Sequence, residues 1–129
     1  MPLVKVNRRQ GRPAAENQQI LEAVHAALVE AFKIPEHDRT HLLFEHDAAH
    51  FTTPPDRSEA FTLIEIFAYP GRSPEAKQAL YRGIAARLAD IGVAPADLFV
   101  ILNDPPLVDW SVRNGVSSAE SRPPFKLEV

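Results

Sequence analysis

The second half of the chain repeats the first half at an offset of sixty residues. Residues 3–35 align without a gap on residues 63–95. Chance similarity of two amphipathic segments is the alternative explanation, but a shared Gly-Arg pair argues against it. The repeat therefore predicts two copies of one supersecondary unit. The identical pairs are Leu3/Leu63, Gly11/Gly71, Arg12/Arg72, Gln18/Gln78, Ala26/Ala86, Leu28/Leu88 and Pro35/Pro95.

Each half has the pattern of a β-α-β unit. A short apolar run predicts a strand, a Gly-Arg turn follows, and a proline opens a helix with apolar residues at helical spacing. A second strand follows each helix and is expected to run parallel to the first, because such crossovers are right-handed. The predicted strands are Leu3–Val6, Thr40–Glu45, Leu63–Phe67 and Leu98–Leu102, and the helices begin near Pro13 and Pro74.

The two units predict a single α/β (α+β) domain with a four-stranded mixed sheet and both helices on one face. Residues 1–46 form the first unit, 47–59 a linker, 60–103 the second unit and 104–129 an irregular C-terminal arm. The other face of the sheet would then be bare. An apolar face of this size normally meets another subunit, so a homo-oligomer is expected. The side chains assigned to it are Val4, Val6, Ile64, Ile66, Phe99 and Ile101.

Composition excludes several classes of function. With 14 basic and 17 acidic residues, the net charge of -3 offers no electrostatic footprint for nucleic acid or for an acidic membrane surface. The absence of cysteine removes disulfides, thiolate nucleophiles and iron-sulfur clusters. No apolar run is long enough to span a membrane, and no leader sequence is recognisable, so a cytoplasmic protein with a small-molecule or protein partner is expected.

The histidines offer a weak metal signal. His37, His41, His46 and His50 show the spacing of helical metal ligands, but the segment is predicted as strand and loop, where that spacing has little meaning. His25 borders the apolar stripe of the first helix and is expected to be a half-buried structural residue. No metal or other cofactor is therefore expected.

Three chemically useful residues are predicted to converge at one end of the sheet. If the first strands of the two halves pair antiparallel, residue 3 lies opposite residue 67. Pro2 then lies beside the turn that carries Arg72, and Asp38 lies at the same end, with Tyr69 nearby. Clefts at strand ends beside helix N-termini commonly bind anions.

Pro2 is a candidate base. Removal of Met1 would leave a free secondary amine, which can accept a proton near neutral pH when its surroundings lower its pKa. Arg72 could bind a carboxylate through two hydrogen bonds and stabilise an enolate, and Asp38 could orient water or the proline nitrogen. Each residue also has a structural alternative: Met-Pro is a common start, Arg72 could lie in solvent, Asp38 could pair with Arg39, and Tyr69 could pack.

Several motifs together resemble the tautomerase superfamily, in particular long-chain members similar to malonate semialdehyde decarboxylase. They are MPLVKV, PEHDR, FEHD, GRSPEAKQALY, VAPADLFVILND and DWSVRNG, in that order along almost the whole chain. The resemblance implies a homotrimer of β-α-β units, Pro2 as general base and acid, Arg72 as the carboxylate partner and Asp38 as the assisting acid. Tyr69, Arg39 and Trp110 are expected to contact the substrate.

The sequence also departs from the decarboxylases and dehalogenases it resembles. Those relatives carry two arginines around the second turn, whereas this chain has Tyr69-Pro70-Gly71-Arg72. Arg39 or an arginine of another subunit could compensate. The tail has Val112 and Arg113 where an aromatic-glycine pair is usual. The preferred hypothesis is keto-enol proton transfer on a small 2-oxo or enol carboxylic acid, and the alternatives are a decarboxylase or hydratase and a non-catalytic oligomer of the same fold.

Overall fold

Four strands and two long helices alternate along the chain as the repeat predicts. The computed structural model describes residues 2–129. The elements are β1 (Pro2–Arg9), α1 (Ala14–Phe32), β2 (Thr40–His46), β3 (Thr62–Ala68), α2 (Pro74–Ala89) and β4 (Leu98–Asn103), with short 3₁₀ turns at Ala48–His50, Pro95–Asp97 and Leu107–Asp109. Each predicted strand lies within an observed one, because sequence patterns locate element centres better than element ends.

The strands form one mixed sheet in the order β2-β1-β3-β4. β1 runs parallel to β2 and β3 runs parallel to β4, as expected for two β-α-β units. The two halves meet through β1 and β3, which pair antiparallel with Leu3 opposite Phe67. The predicted register is therefore confirmed, and the pseudo-twofold relation of the halves brings the start of β1 to the end of β3.

The core lies between the sheet and both helices. Val4, Val6, Ile64 and Ile66 are fully buried there, together with one apolar stripe from each helix. Their assignment to the bare face was wrong for a simple reason: side chains alternate along a strand, and the even-numbered residues of β1 and β3 point toward the helices. The face away from the helices exposes Leu42, Phe44, Phe99 and Ile101, each more than 40% accessible in the protomer.

The C-terminal arm folds back over the turn between β3 and α2. The Ser73 amide donates a hydrogen bond to the Val129 carbonyl, and Leu127 is buried. Gly71 permits this approach, since its backbone has φ +123° and an added Cβ would lie 3.2 Å from the backbone of Leu127. The arm therefore packs against the second Gly-Arg turn. No helix within residues 2–129 has the length and apolar character needed to cross a membrane.

Candidate active site

The antiparallel pairing of β1 and β3 places Pro2 next to the start of the second turn. Pro2 is buried and lies opposite Ala68, the residue before Tyr69. On its other side, Leu3 is in register with Thr40, so Asp38 lies two residues before the paired part of β2. Pro2, Asp38 and Tyr69 are thus brought to one end of the sheet, where Pro2, Asp38 and Arg72 were predicted to meet. The predicted removal of Met1 concerns a residue outside the described part of the chain.

A cavity of about 380 Å³ lies at this end. Asp38 and Tyr69 line it from the sheet, and the C-terminal arm lines it with residues 112–113 and 121–125. The arm therefore forms part of the candidate site and also packs against the turn between β3 and α2. This cavity is large enough for a small organic acid.

Tyr69 forms the link between the sheet and the arm. It is only 4% exposed, and its hydroxyl lies 3.2 Å from the Ser118 hydroxyl. Trp110 packs edge-on against its ring at 5.0 Å, donates its indole N–H to the Pro105 carbonyl and accepts the Ser118 amide through its own carbonyl. Both aromatic residues, predicted as substrate contacts, hold the arm over the cavity, and Tyr69 also faces the cavity itself.

Arg72 points into the protein in the protomer. It is 6% exposed, its Nη1 donates to the Tyr69 carbonyl at 3.0 Å and its Nη2 donates to the Phe32 carbonyl at 3.3 Å. Burial lowers the pKa of Arg72 from its ordinary value, and Glu128 partly opposes that change. Arg72 does not belong to the cavity wall. The alternative of a solvent-exposed arginine is wrong, because the guanidinium satisfies backbone carbonyls instead.

Arg39 is directed away from the cavity. Its Nη1 donates to Glu22 Oε1 of α1 at 2.9 Å, and both side chains are partly exposed. The predicted compensation by Arg39 for a missing second arginine therefore has no support in the protomer, where the guanidinium is paired with Glu22. Its neighbour Asp38, in contrast, lines the cavity and donates its backbone amide to the Pro35 carbonyl.

Two arginines of the arm were not predicted as site residues. Arg113 and Arg122 both line the cavity. The sequence carried one signal for Arg113, namely its unusual place in the DWSVRNG segment. Nothing in the sequence pattern indicated Arg122, because its position depends on how the arm folds back.

His25 and His41 pack against each other, with ring centres 5.5 Å apart. His25 is 2% exposed, more buried than predicted, and its Nε2 lies 2.7 Å from the Glu36 carbonyl oxygen. Burial and the nearby His25 lower the pKa of His41. Within residues 2–129, no group of three or more metal-ligating side chains lies close enough together to hold a metal ion.

Comparison with known proteins agrees with this architecture. Two family models, each described as a tautomerase enzyme, match residues 2–60 and residues 38–113. The chain belongs to the tautomerase family. The probable tautomerase YusQ of Bacillus subtilis is 30% identical over 121 residues, which are 89% of this chain and 95% of YusQ. The chain also shares 30% identity with the probable tautomerase YrdN of the same bacterium, over 86% of this chain and 90% of YrdN.

Two kinds of solved structure are similar to this chain. The FG41 malonate semialdehyde decarboxylase, inhibited by 3-bromopropiolate, superposes with a TM-score of 0.86 at 30% identity, covering 96% of this chain and 99% of that chain. A fused 4-OT solved as a symmetric trimer superposes with a TM-score of 0.83 at 28% identity, covering 94% and 99%. The four-stranded fold and the family are thereby confirmed.

Proposed function

We propose that this tautomerase is a cofactor-independent isomerase that moves a proton between carbon and oxygen of a small 2-oxo or enol carboxylic acid. The observation that carries the proposal is the position of Pro2, which begins β1 opposite Ala68 at the sheet end where the cavity lies. A buried ring nitrogen at that place would be a rigid base once Met1 is removed. Probable tautomerases among the relatives support the reaction class.

In the proposed proton transfer, the Pro2 nitrogen acts first as a base and then as an acid. Neutral Pro2 nitrogen takes the proton from the enol hydroxyl while the C–C double bond electrons move to C3. The resulting prolinium then returns a proton to C3, which gives the ketone and regenerates the amine. Asp38, which lines the cavity, is proposed to accept a hydrogen bond from the prolinium and hold it in place.

The proposed role of Arg72 follows from its contacts. Because its two terminal nitrogens hold the Tyr69 and Phe32 carbonyls, it positions the turn and the ring of Tyr69. Direct pairing of Arg72 with a substrate carboxylate stays a prediction, since the guanidinium would have to leave both carbonyls. Tyr69, at the cavity wall, is proposed to contact the substrate.

The test is ketonisation of phenylenolpyruvate or 2-hydroxymuconate, followed by absorbance. We expect Pro2→Ala to lower kcat/KM by about 10²-fold or more, the usual contribution of a positioned acid-base group. Pro13→Ala, at the exposed proline before α1, is the matched control and should be unchanged. Undiminished ketonisation by Pro2→Ala would overturn the proposal. A wild-type chain that begins at Pro2 and turns over neither acid would favour a non-catalytic oligomer.

Decarboxylation or hydration of a 3-oxo acid is the second candidate. It is favoured by the 30% identity to two malonate semialdehyde decarboxylase structures. In this reaction Pro2 would be protonated and act as the acid, while Asp38 activates water. Release of carbon dioxide from malonate semialdehyde, abolished in Asp38→Asn, would support it over simple tautomerisation.

We also propose that the protein is a homotrimer. The exposed apolar side chains of β2 and β4 lie on the sheet face that the helices leave open, and burying such a face is favourable. The fused 4-OT structures among the relatives are trimers. A trimer would allow a second subunit to add residues at the cavity.

A further inference from the structure

The cavity wall carries Arg113, a cation whose side chain pairs with no other group within residues 2–129. Arg113 and Arg122 both contribute from the C-terminal arm. Arg122 Nη2 donates to Glu128, and both side chains are more than half exposed. For Arg113, no ion pair or side-chain hydrogen bond occurs within residues 2–129. Its guanidinium therefore keeps all five donors available to an incoming anion.

The other arginines near this end of the sheet are already engaged. Arg39 is paired with Glu22, and Arg72 donates to two backbone carbonyls behind Tyr69. A carboxylate that enters the cavity meets Arg113 as the unpaired cation of the described wall. Guanidinium binds carboxylate through two parallel charge-assisted hydrogen bonds, which fix orientation as well as supply affinity.

We infer that Arg113 binds the carboxylate of the substrate and makes the cavity selective for a small 2-oxo acid over its uncharged ester. This inference rests on the proposed function and deepens it. Anchoring one carboxylate at the arm directs the remaining carbons toward the sheet end, where Asp38 lies and β1 begins.

Binding can be measured without turnover, through the fluorescence of Trp110. It is the sole tryptophan of the chain and lies 5.0 Å from Tyr69 of the cavity wall. The probes are pyruvate and its uncharged methyl ester. We expect the wild type to bind pyruvate more tightly than methyl pyruvate, and Arg113→Ala to weaken pyruvate binding about ten-fold or more, which corresponds to the loss of a charge-assisted pair.

Two features of the test separate substrate binding from structural damage. Arg113→Ala should leave methyl pyruvate binding unchanged, and Arg113→Lys should restore part of the preference for pyruvate. Arg82→Ala is the matched control, because Arg82 is exposed on α2 and lies outside the cavity wall. In ketonisation, Arg113→Ala should raise KM with little change in kcat. The inference would be overturned if Arg113→Ala and Arg82→Ala changed pyruvate binding equally. It would also be overturned if Arg113→Ala weakened the binding of pyruvate and of methyl pyruvate equally.

Two outcomes distinguish the carboxylate site at Arg113 from the proposed reaction at Pro2. Pyruvate selectivity that depends on Arg113 in a protein without ketonisation would support the carboxylate site and contradict the reaction. Ketonisation that needs Pro2 but is indifferent to Arg113→Ala would support the reaction and contradict the site.

Discussion

The guanidinium carbon of Arg72 lies 4.9 Å from the centre of the Phe32 ring, and Arg72 Nη2 also donates to the Phe32 carbonyl. Phe32 is the last residue of α1, where carbonyl groups lack partners within the helix and a cation is favourable. The contact therefore ties the turn after β3, at the candidate site, to the end of the helix in the other half.

Replacing Arg72 tests whether this contact is structural. Arg72→Leu should lower the free energy of unfolding by about 1–3 kcal/mol, because two backbone carbonyls lose their donor. Urea unfolding followed by circular dichroism measures the change. Arg87→Leu, which breaks a partly exposed pair with Glu30, is the control and should shift the midpoint little. If Arg72→Leu unfolds like the wild type, the contact with Phe32 does not stabilise the fold.

The sequence repeat places a glycine at the equivalent turn of each half, Gly11 and Gly71. Both Gly11 and Gly71 have positive φ, at +106° and +123°, but an added Cβ meets the backbone of Leu127 only at Gly71, since nothing lies within 4 Å at Gly11. Gly71→Ala should therefore cost about 1 kcal/mol more than Gly11→Ala, through overpacking against the arm. Urea unfolding gives the difference, and limited proteolysis reports release of the arm. Equal destabilisation by the two variants would mean that the arm does not pack there.

Acid should weaken the fold through Glu16. This carboxylate is buried and accepts hydrogen bonds from Arg12 at 2.9 and 3.1 Å and from Arg8 at 3.4 Å. Desolvation alone would raise the pKa of Glu16, but the Arg12 hydrogen bonds and the Arg8 charge outweigh it and hold the pKa below the usual 4.5. The stabilisation is therefore complete above pH 4.5 and is lost as pH falls below it.

Glu16→Gln should remove that acid dependence. We expect the variant to be less stable than the wild type at pH 7, because Arg8 stays buried without a full counter-charge, and its stability should fall less steeply below pH 4.5. Urea midpoints measured from pH 7 to pH 3 give both quantities. Glu22→Gln, at a carboxylate that is 53% exposed, is the control. An unchanged slope in Glu16→Gln would contradict the assignment.

The exposed apolar side chains on the sheet face away from the helices predict that this face is buried between subunits. Phe44→Glu and Phe99→Glu place a charge on side chains that are 43% and 47% exposed in the protomer. If this face is buried between subunits, both variants should sediment as monomers, while the wild type sediments as a trimer. Val108→Glu, at an exposed residue of the arm, should leave the trimer intact. Trimeric Phe44→Glu and Phe99→Glu variants would place the interface elsewhere.

The sequence repeat was sufficient to predict the sheet order and the pairing of Leu3 with Phe67. Strand direction follows from local pattern and crossover handedness, and both are properties of short segments. The pattern marks Val4 and Val6 as the apolar face of β1, opposite Lys5 and Asn7, but it does not show which face the helices cover. In the structure, the packing of both helices on the even-numbered residues decides it.

Side-chain direction at the site was harder to predict. An arginine in a glycine turn usually faces solvent, and the burial of Arg72 depends on Phe32, which lies in the other half of the chain. Arg39 similarly turns toward Glu22 in a preceding helix. The cavity position of Arg113 depends on the path of an arm with no repetitive pattern. These contacts join distant segments, so local sequence carries little information on them.

Mass spectrometry of the protein from its native host would show whether Pro2 carries a free and reactive ring nitrogen at this end of the sheet. Intact mass and N-terminal peptides should be measured before and after exposure to 3-bromopropiolate, which inhibits the FG41 decarboxylase relative. We predict chains that begin at Pro2 and gain one adduct on Pro2, with activity lost in proportion. Chains that keep Met1, an adduct on another residue, or full activity without labelling would contradict the claim.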